Sequence, residues 1–127
     1  MRQNVPSPSP FAPKVGFSAA VRVGSYVFVA GTVGRRPDGS FPADVYSQAK
    51  QALENIGAAL TQAGASFRDV VRTRMFVVDI SQWEEASRAH GEVFSEILPA
   101  STLVEVSSLA TPEMLIEIEV DAVIDRA

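Results

Sequence analysis

Apolar positions along this chain recur at two periods, and the change from one to the other marks out the elements. Phe17 to Val23 and Tyr26 to Ala30 are β-rich runs, and Gly24-Ser25 between them is a two-residue hairpin signal. Gly31 to Pro42, with Pro37-Asp38-Gly39, reads as a surface loop. The period then lengthens. Val45, Ala49, Ala52, Leu53, Ile56, Leu60 and Ala63 return at three- and four-residue steps, which predicts an amphipathic helix from an Asp44 cap to a Gly64 stop. Val70 to Asp79 is a third strand, Ser81 caps a second helix reaching to about Ile97, and Pro99 closes it. Pro99 to Val123 reads as two further strands joined by a short turn.

The order β-β-α-β-α-β-β predicts an α+β fold, with two helices on one face of a mainly antiparallel-to-mixed sheet. The other face then needs a cover. On the third strand Val71, Thr73, Met75 and Val77 alternate with Arg72, Arg74, Phe76 and Val78, and the helices should cover the first set. On the last strand Glu117, Glu119 and Asp121 point away from Ile116, Ile118, Val120 and Ala122. A row of acids beside Phe76 and Val78 must meet water, cations or another subunit, and the apolar pair favours a subunit. Residues 1–14, with Pro6, Pro8, Pro10 and Pro13, read as a flexible, proline-rich arm ahead of one domain over residues 15–127.

Composition narrows the function classes. The chain has 127 residues, 46% of them hydrophobic and 20% charged, which suits one folded domain with a real core. It has no cysteine, which removes disulfides, thiolate metal sites and a cysteine nucleophile, and fits a cytoplasmic protein. No apolar run is long enough to span a membrane, and the first residues lack the apolar core of a secretory signal. The net charge of −4, with only Arg35-Arg36 and Arg72/Arg74 as basic pairs, argues against a nucleic-acid partner.

Several side chains invite chemistry, each with a plainer alternative. Glu119 reads either as a water-orienting base or as an ion-pair partner for Arg72 or Arg74. Arg74 reads as an anion-binding group or as charge balance for the acid row, and Glu117 and Asp121 as solvated or paired carboxylates. His90 falls on the apolar face of the second helix or at its edge, where it either packs or shuttles protons. No second and third ligands stand at a usable spacing for a metal. Ser101, Thr102 and Ser107 offer hydroxyls without a readable catalytic triad. Gly31 to Gly39 lacks the lysine and spacing of a phosphate-binding loop.

Taken together, Ala30-Gly31-Thr32, the helix pattern from Ala49 to Leu60, DVVRTRMFVVD over Asp69 to Asp79, PASTLVEV from Pro99 and the IEIE run from Ile116 resemble the reactive intermediate deaminase family (RidA, YjgF). The resemblance covers nearly the whole chain. It implies a chorismate mutase-like fold assembled as a homotrimer around a central β-barrel, with small-molecule sites in the clefts between subunits. It further implies hydrolysis of enamines and imines such as 2-aminoacrylate to keto compounds and ammonia, with no metal or organic cofactor. In that family an arginine binds the substrate carboxylate and a glutamate near the chain end handles water. Carried over by position, Glu119 is the glutamate, while Ser101 replaces the arginine. Phe17 falls at a tyrosine position, Ala30 at a serine, Ser87 at an asparagine, and His90 near a tyrosine. This makes the chain a divergent member. Its substrate-binding set is expected to be Phe17, Ala30, Gly31, Arg74, Ser87, His90 and the stretch Ser101, Thr102 and Leu103. The rival reading is a trimeric binding or scaffold protein without turnover; a ribonuclease or translation inhibitor is opposed by the acidic balance.

Overall fold

The last strand is the spine of the molecule. The computed structural model describes residues 1–125, and in it β6 (Ile116–Val123) lies between β3 (Tyr26–Val33) and β4 (Val70–Val77). Its alternation is realised as expected: Ile116, Ile118 and Val120 are fully buried, and Ala122 nearly so, while the three acids on the other face are half-buried. β2 (Ala20–Val23) continues the sheet beyond β3, and β5 (Ala100–Glu105) forms the opposite edge beside β4. The six strands run β1-β2-β3-β6-β4-β5, antiparallel except for the parallel pair β4–β5.

Two long helices cover one face. α2 (Val45–Gln62) starts where the Asp44 carboxylate accepts the Ser47 amide at 3.0 Å, and it stops at Ala63 before Gly64, which turns at φ 83°. Leu53, Ile56 and Leu60 on its inner face are almost completely buried, each contributing roughly 1.5–3 kcal/mol over the exposed state. α3 (Trp83–Phe94) packs beside it and seats Phe94 edge-on against Phe67. At the end of β3, Gly34 lets the chain approach α2. A Cβ there would meet the Gln48 Cα at 2.8 Å, so this crossing admits no larger residue without backbone movement. Among the described residues no helix is long and apolar enough to cross a membrane.

Four expectations need correction. Residues 1–14 are not a loose arm: Arg2–Val5 forms β1, paired antiparallel with β2, and Ala12–Val15 forms a short helix, α1. The prolines follow the strand rather than interrupt it, and Val5 is buried to anchor it. The last two strands are not joined by a short turn: β5 ends at Glu105 and β6 begins only at Ile116, and they do not pair. β4, α3 and β5 form a parallel crossover, so β4 intervenes between β5 and β6. The second helix is capped not by Ser81 but by a preceding 3-10 turn, Ile80–Gln82, where the Asp79 carboxylate accepts the Ser81 amide at 3.0 Å. Finally, an irregularity between Val70 and Arg72 places Val70 in the core and leaves Val71 48% exposed, so Val71 does not share the helix-covered face of Thr73, Met75 and Val77.

Candidate functional site

The sheet register divides the expected site residues between its two faces. Arg74 stands opposite Glu119 on β6 and beside Thr102 on β5, all on the helix-free face. Ser101 and Leu103 pair with Thr73 and Met75, which face the helices. Ser101 and Glu119 therefore project to opposite sides of the sheet within one chain.

On the helix side of the β4–β5 edge, three polar groups form a chain. The Thr73 hydroxyl lies 2.8 Å from His90 Nε2 and 2.8 Å from Ser101 Oγ. Thr73 is fully buried, and its hydroxyl proton can serve only one neighbour at a time. When His90 Nε2 donates, Thr73 donates to Ser101, and Ser101 keeps its own proton for an outside acceptor. His90 is half-buried and tilts over the Phe94 ring at 4.6 Å between centroids. Burial holds its pKa below the usual histidine value. Ser87 lies one turn earlier on the same helix. This imidazole is thus hydrogen-bonded at the helix edge, joined to the very serine that stands at the arginine position.

Across the sheet, Arg74 Nη1 lies 3.3 Å from both a Glu119 and an Asp121 oxygen. Glu119 thus has the ion pair with Arg74 that its position allowed. Glu117 differs. It accepts no hydrogen bond and forms no ion pair among the described residues, and burial, followed by the charge of Glu119, raises its pKa above the ordinary glutamate value. Its carboxylate is pressed against Gly31, so closely that any Cβ at that position would overlap Glu117 Oε2. An irregularity between Val29 and Thr32 in the β3–β6 ladder brings Ala30 and Gly31 to this point.

Glu117, Phe17, Ala30 and Gly31 line one cleft of about 780 Å³, bounded by the Pro6–Phe11 segment and by Arg35 and Arg36 after β3. A smaller cleft of about 420 Å³ on the open face is shared by Phe17, Ala30, Glu119 and Asp121. Gln48 ties the start of α2 to the segment ahead of β6. This fully buried amide donates to the Pro42 and Glu113 carbonyls, both at 2.8 Å, and accepts the Leu115 amide at 2.9 Å, fixing the lead into β6. Sequence reasoning passed over Thr73, Gln48 and Glu117 as site-building residues. The signal was present for the first two, as polar residues within otherwise apolar inward-facing sets. For Glu117 it was not, because its environment depends on the distant Gly31.

A six-stranded mixed sheet with two long helices on one side, and a half-buried glutamate against Gly31 at the wall of a cleft, defines the class as an α+β protein. The family model described as Endoribonuclease L-PSP matches residues 8–124, and the chain belongs to that family, the RidA/YjgF proteins. A solved Mycobacterium tuberculosis member of the YjgF/YER057c/UK114 family is 44% identical, covers 98% of this chain and 100% of its own, and superposes with a TM-score of 0.91. A RutC family protein of Pyrococcus abyssi is 36% identical over 115 residues, 89% of this chain and 87% of that one. The mouse 2-iminobutanoate/2-iminopropanoate deaminase is 33% identical over 109 residues, 84% of this chain and 80% of that one.

Proposed function

We propose that this protein hydrolyses imines or enamines to the carbonyl compound and ammonia, with Glu117 rather than Glu119 handling the water. The observation that carries this reading is the unpaired, half-buried Glu117 carboxylate against Gly31 at the wall of the large cleft. A carboxylate with a raised pKa can take a proton from water as the water oxygen bonds to the C=N carbon, and can return it to the nitrogen. The carbinolamine then collapses: its hydroxyl proton passes by way of the carboxylate to the nitrogen, the C–N bond breaks, C=O forms and ammonia leaves. Glu119, held by Arg74, keeps the neighbouring charge in place. The deaminase named among the relatives supports the same reaction class.

The reading includes a homotrimer in the cytoplasm. Ser101, Ser87 and His90 lie on the helix side of the β5 edge while Glu117, Ala30 and Gly31 lie by β3, so a second copy is needed to bring the halves of the expected site together. Phe28, half-exposed and stacked near Tyr26 on the helix-free face, supports a subunit there. One observation favours a non-catalytic binding protein as the second reading: Ser101 supplies a single hydroxyl where the family's arginine clamps a carboxylate. RNA remains a poor fit, since Arg74 is already neutralised by two carboxylates.

The test is ammonia release from freshly generated imines of pyruvate and of larger keto compounds, with light scattering on the same sample. Release well above the spontaneous rate, from a trimer, supports the proposal. A rate no faster than solvent hydrolysis across the panel sinks the enzyme, and a monomer sinks the shared site.

A further inference from the structure

The large cleft holds a cation that the reaction above does not use. Arg35 lines it, half-buried, with its guanidinium 5.0 Å from the Phe41 ring centre. Among the described residues Arg35 has no carboxylate partner, unlike Arg74, Arg88 and Lys50, each of which is ion-paired. Its neighbour Arg36 is engaged within its own turn, donating to Ser40 Oγ at 3.2 Å and lying close to Asp38. The position of Arg35 is fixed from α2: Asn55 Nδ2 donates to the Val33 carbonyl at 3.1 Å and to that of Arg35 at 2.9 Å. A guanidinium on a pinned backbone, stacked on an aromatic ring, is pre-organised to grip a carboxylate through two parallel hydrogen bonds.

The rest of the cleft fits an apolar body. Pro6, Pro8, Phe11 and Phe17 form one wall, and Ala58 and Ala59 of α2 another. About 780 Å³ is far more than a three-carbon acid fills, and lies within the range of sites for drug-sized ligands. We propose that Arg35 is the carboxylate anchor of this cleft. The ligand it takes is a monocarboxylate with an extended aliphatic or aromatic body, lying along the proline-rich wall. The proposal rests on the reading of this cleft as the substrate site and deepens it. The role lost at Ser101 is supplied from the loop after β3, inside one chain, and selectivity moves from small imino acids to larger ones.

Binding of unreactive probes tests this without turnover. By calorimetry, 4-phenylbutanoate should bind at least about tenfold more tightly than either its neutral amide or acetate, since the amide loses the charge-assisted pair and acetate the apolar contact. Arg35→Gln should bring 4-phenylbutanoate down to the amide's affinity, Arg35→Lys should fall between, and Arg68→Gln, on an exposed turn, should change nothing. Unaltered thermal melting shows that each variant is folded. Equal affinity for acid and amide, or an Arg35→Gln protein that binds as the parent does, overturns the proposal. Selective binding without imine turnover sinks the deaminase alone, whereas turnover without this selectivity sinks the anchor alone.

Discussion

Glu117 and Glu119 leave β6 on the same face, two residues apart, yet meet different neighbours. Glu119 shares Arg74 with Asp121, and the strand register that sets Arg74 opposite Glu119 holds the group in place. Glu117 lies opposite Phe76 on one side and in register with Val33 on the other, with the bare backbone of Gly31 over its carboxylate. Among the described residues no cation offsets its burial, and Glu119 adds a repulsive charge. The comparison shows that an alternating row of acids is not a uniform surface. A carboxylate with a fixed counter-ion is committed to that pair, while one that is buried without a partner holds its proton more tightly than an exposed glutamate does.

The sharpest way to break this contrast is to neutralise each acid in turn. Glu117→Gln should lower turnover by roughly 10²-fold or more, the usual scale for removing a general base. Glu119→Gln should cost only a few-fold, because Arg74 retains Asp121. Steady-state rates on one imine decide between them; if the larger loss falls on Glu119, the assignment is reversed.

That choice shows how far the sequence alone reaches. α2 is legible because its apolar spacing, Asp44 cap and Gly64 stop are all local. β6 is legible because strict alternation admits one arrangement of faces. Family membership follows from motifs spread over the chain. β1 was hidden because four prolines dominate the N-terminal composition, while one buried side chain, Val5, anchors the strand. The parallel placement of β5 was hidden because strand order is set by the α3 crossover rather than by any residue within β5. Within the candidate site, the row of three acids was visible but the difference in their surroundings was not. That difference is set by an irregular step at Ala30-Gly31, some eighty-six residues before Glu117 in the chain, and by which acids Arg74 reaches.

A smaller effect is expected at Gly31. Gly31→Ala inserts a methyl group into the space of the Glu117 carboxylate, the mobile end of a side chain, so the carboxylate moves while the strands stay. Turnover should fall by about tenfold, the order of loss expected when a catalytic group is displaced by a fraction of an ångström to an ångström. Melting should change little. Gly34→Ala provides the contrast, since its methyl meets backbone of α2 instead. It should destabilise the fold by roughly 1–3 kcal/mol without touching the carboxylate. Parental activity in a folded Gly31→Ala protein would detach Glu117 from the chemistry.

The smallest expected effect is on stability, and it carries a definite sign. Glu117 has a folded-state pKa raised above its reference value of 4.5, so the folded chain holds that proton more tightly than the unfolded one. Stability from this group is therefore full below about pH 4.5, declines as pH rises through the folded pKa, and stays reduced above it. Glu117→Gln removes the ionisation and with it the penalty. The variant should melt above the parent at pH 8 and level with it near pH 4. Glu119→Gln should give no such gain, because it releases half of the Arg74 pairing instead. Melting curves of the three proteins across that range test the comparison independently of any substrate. A Glu117→Gln protein less stable than the parent at pH 8 would mean that the carboxylate has a stabilising partner in the assembled protein, and would make it a structural group instead of a working one.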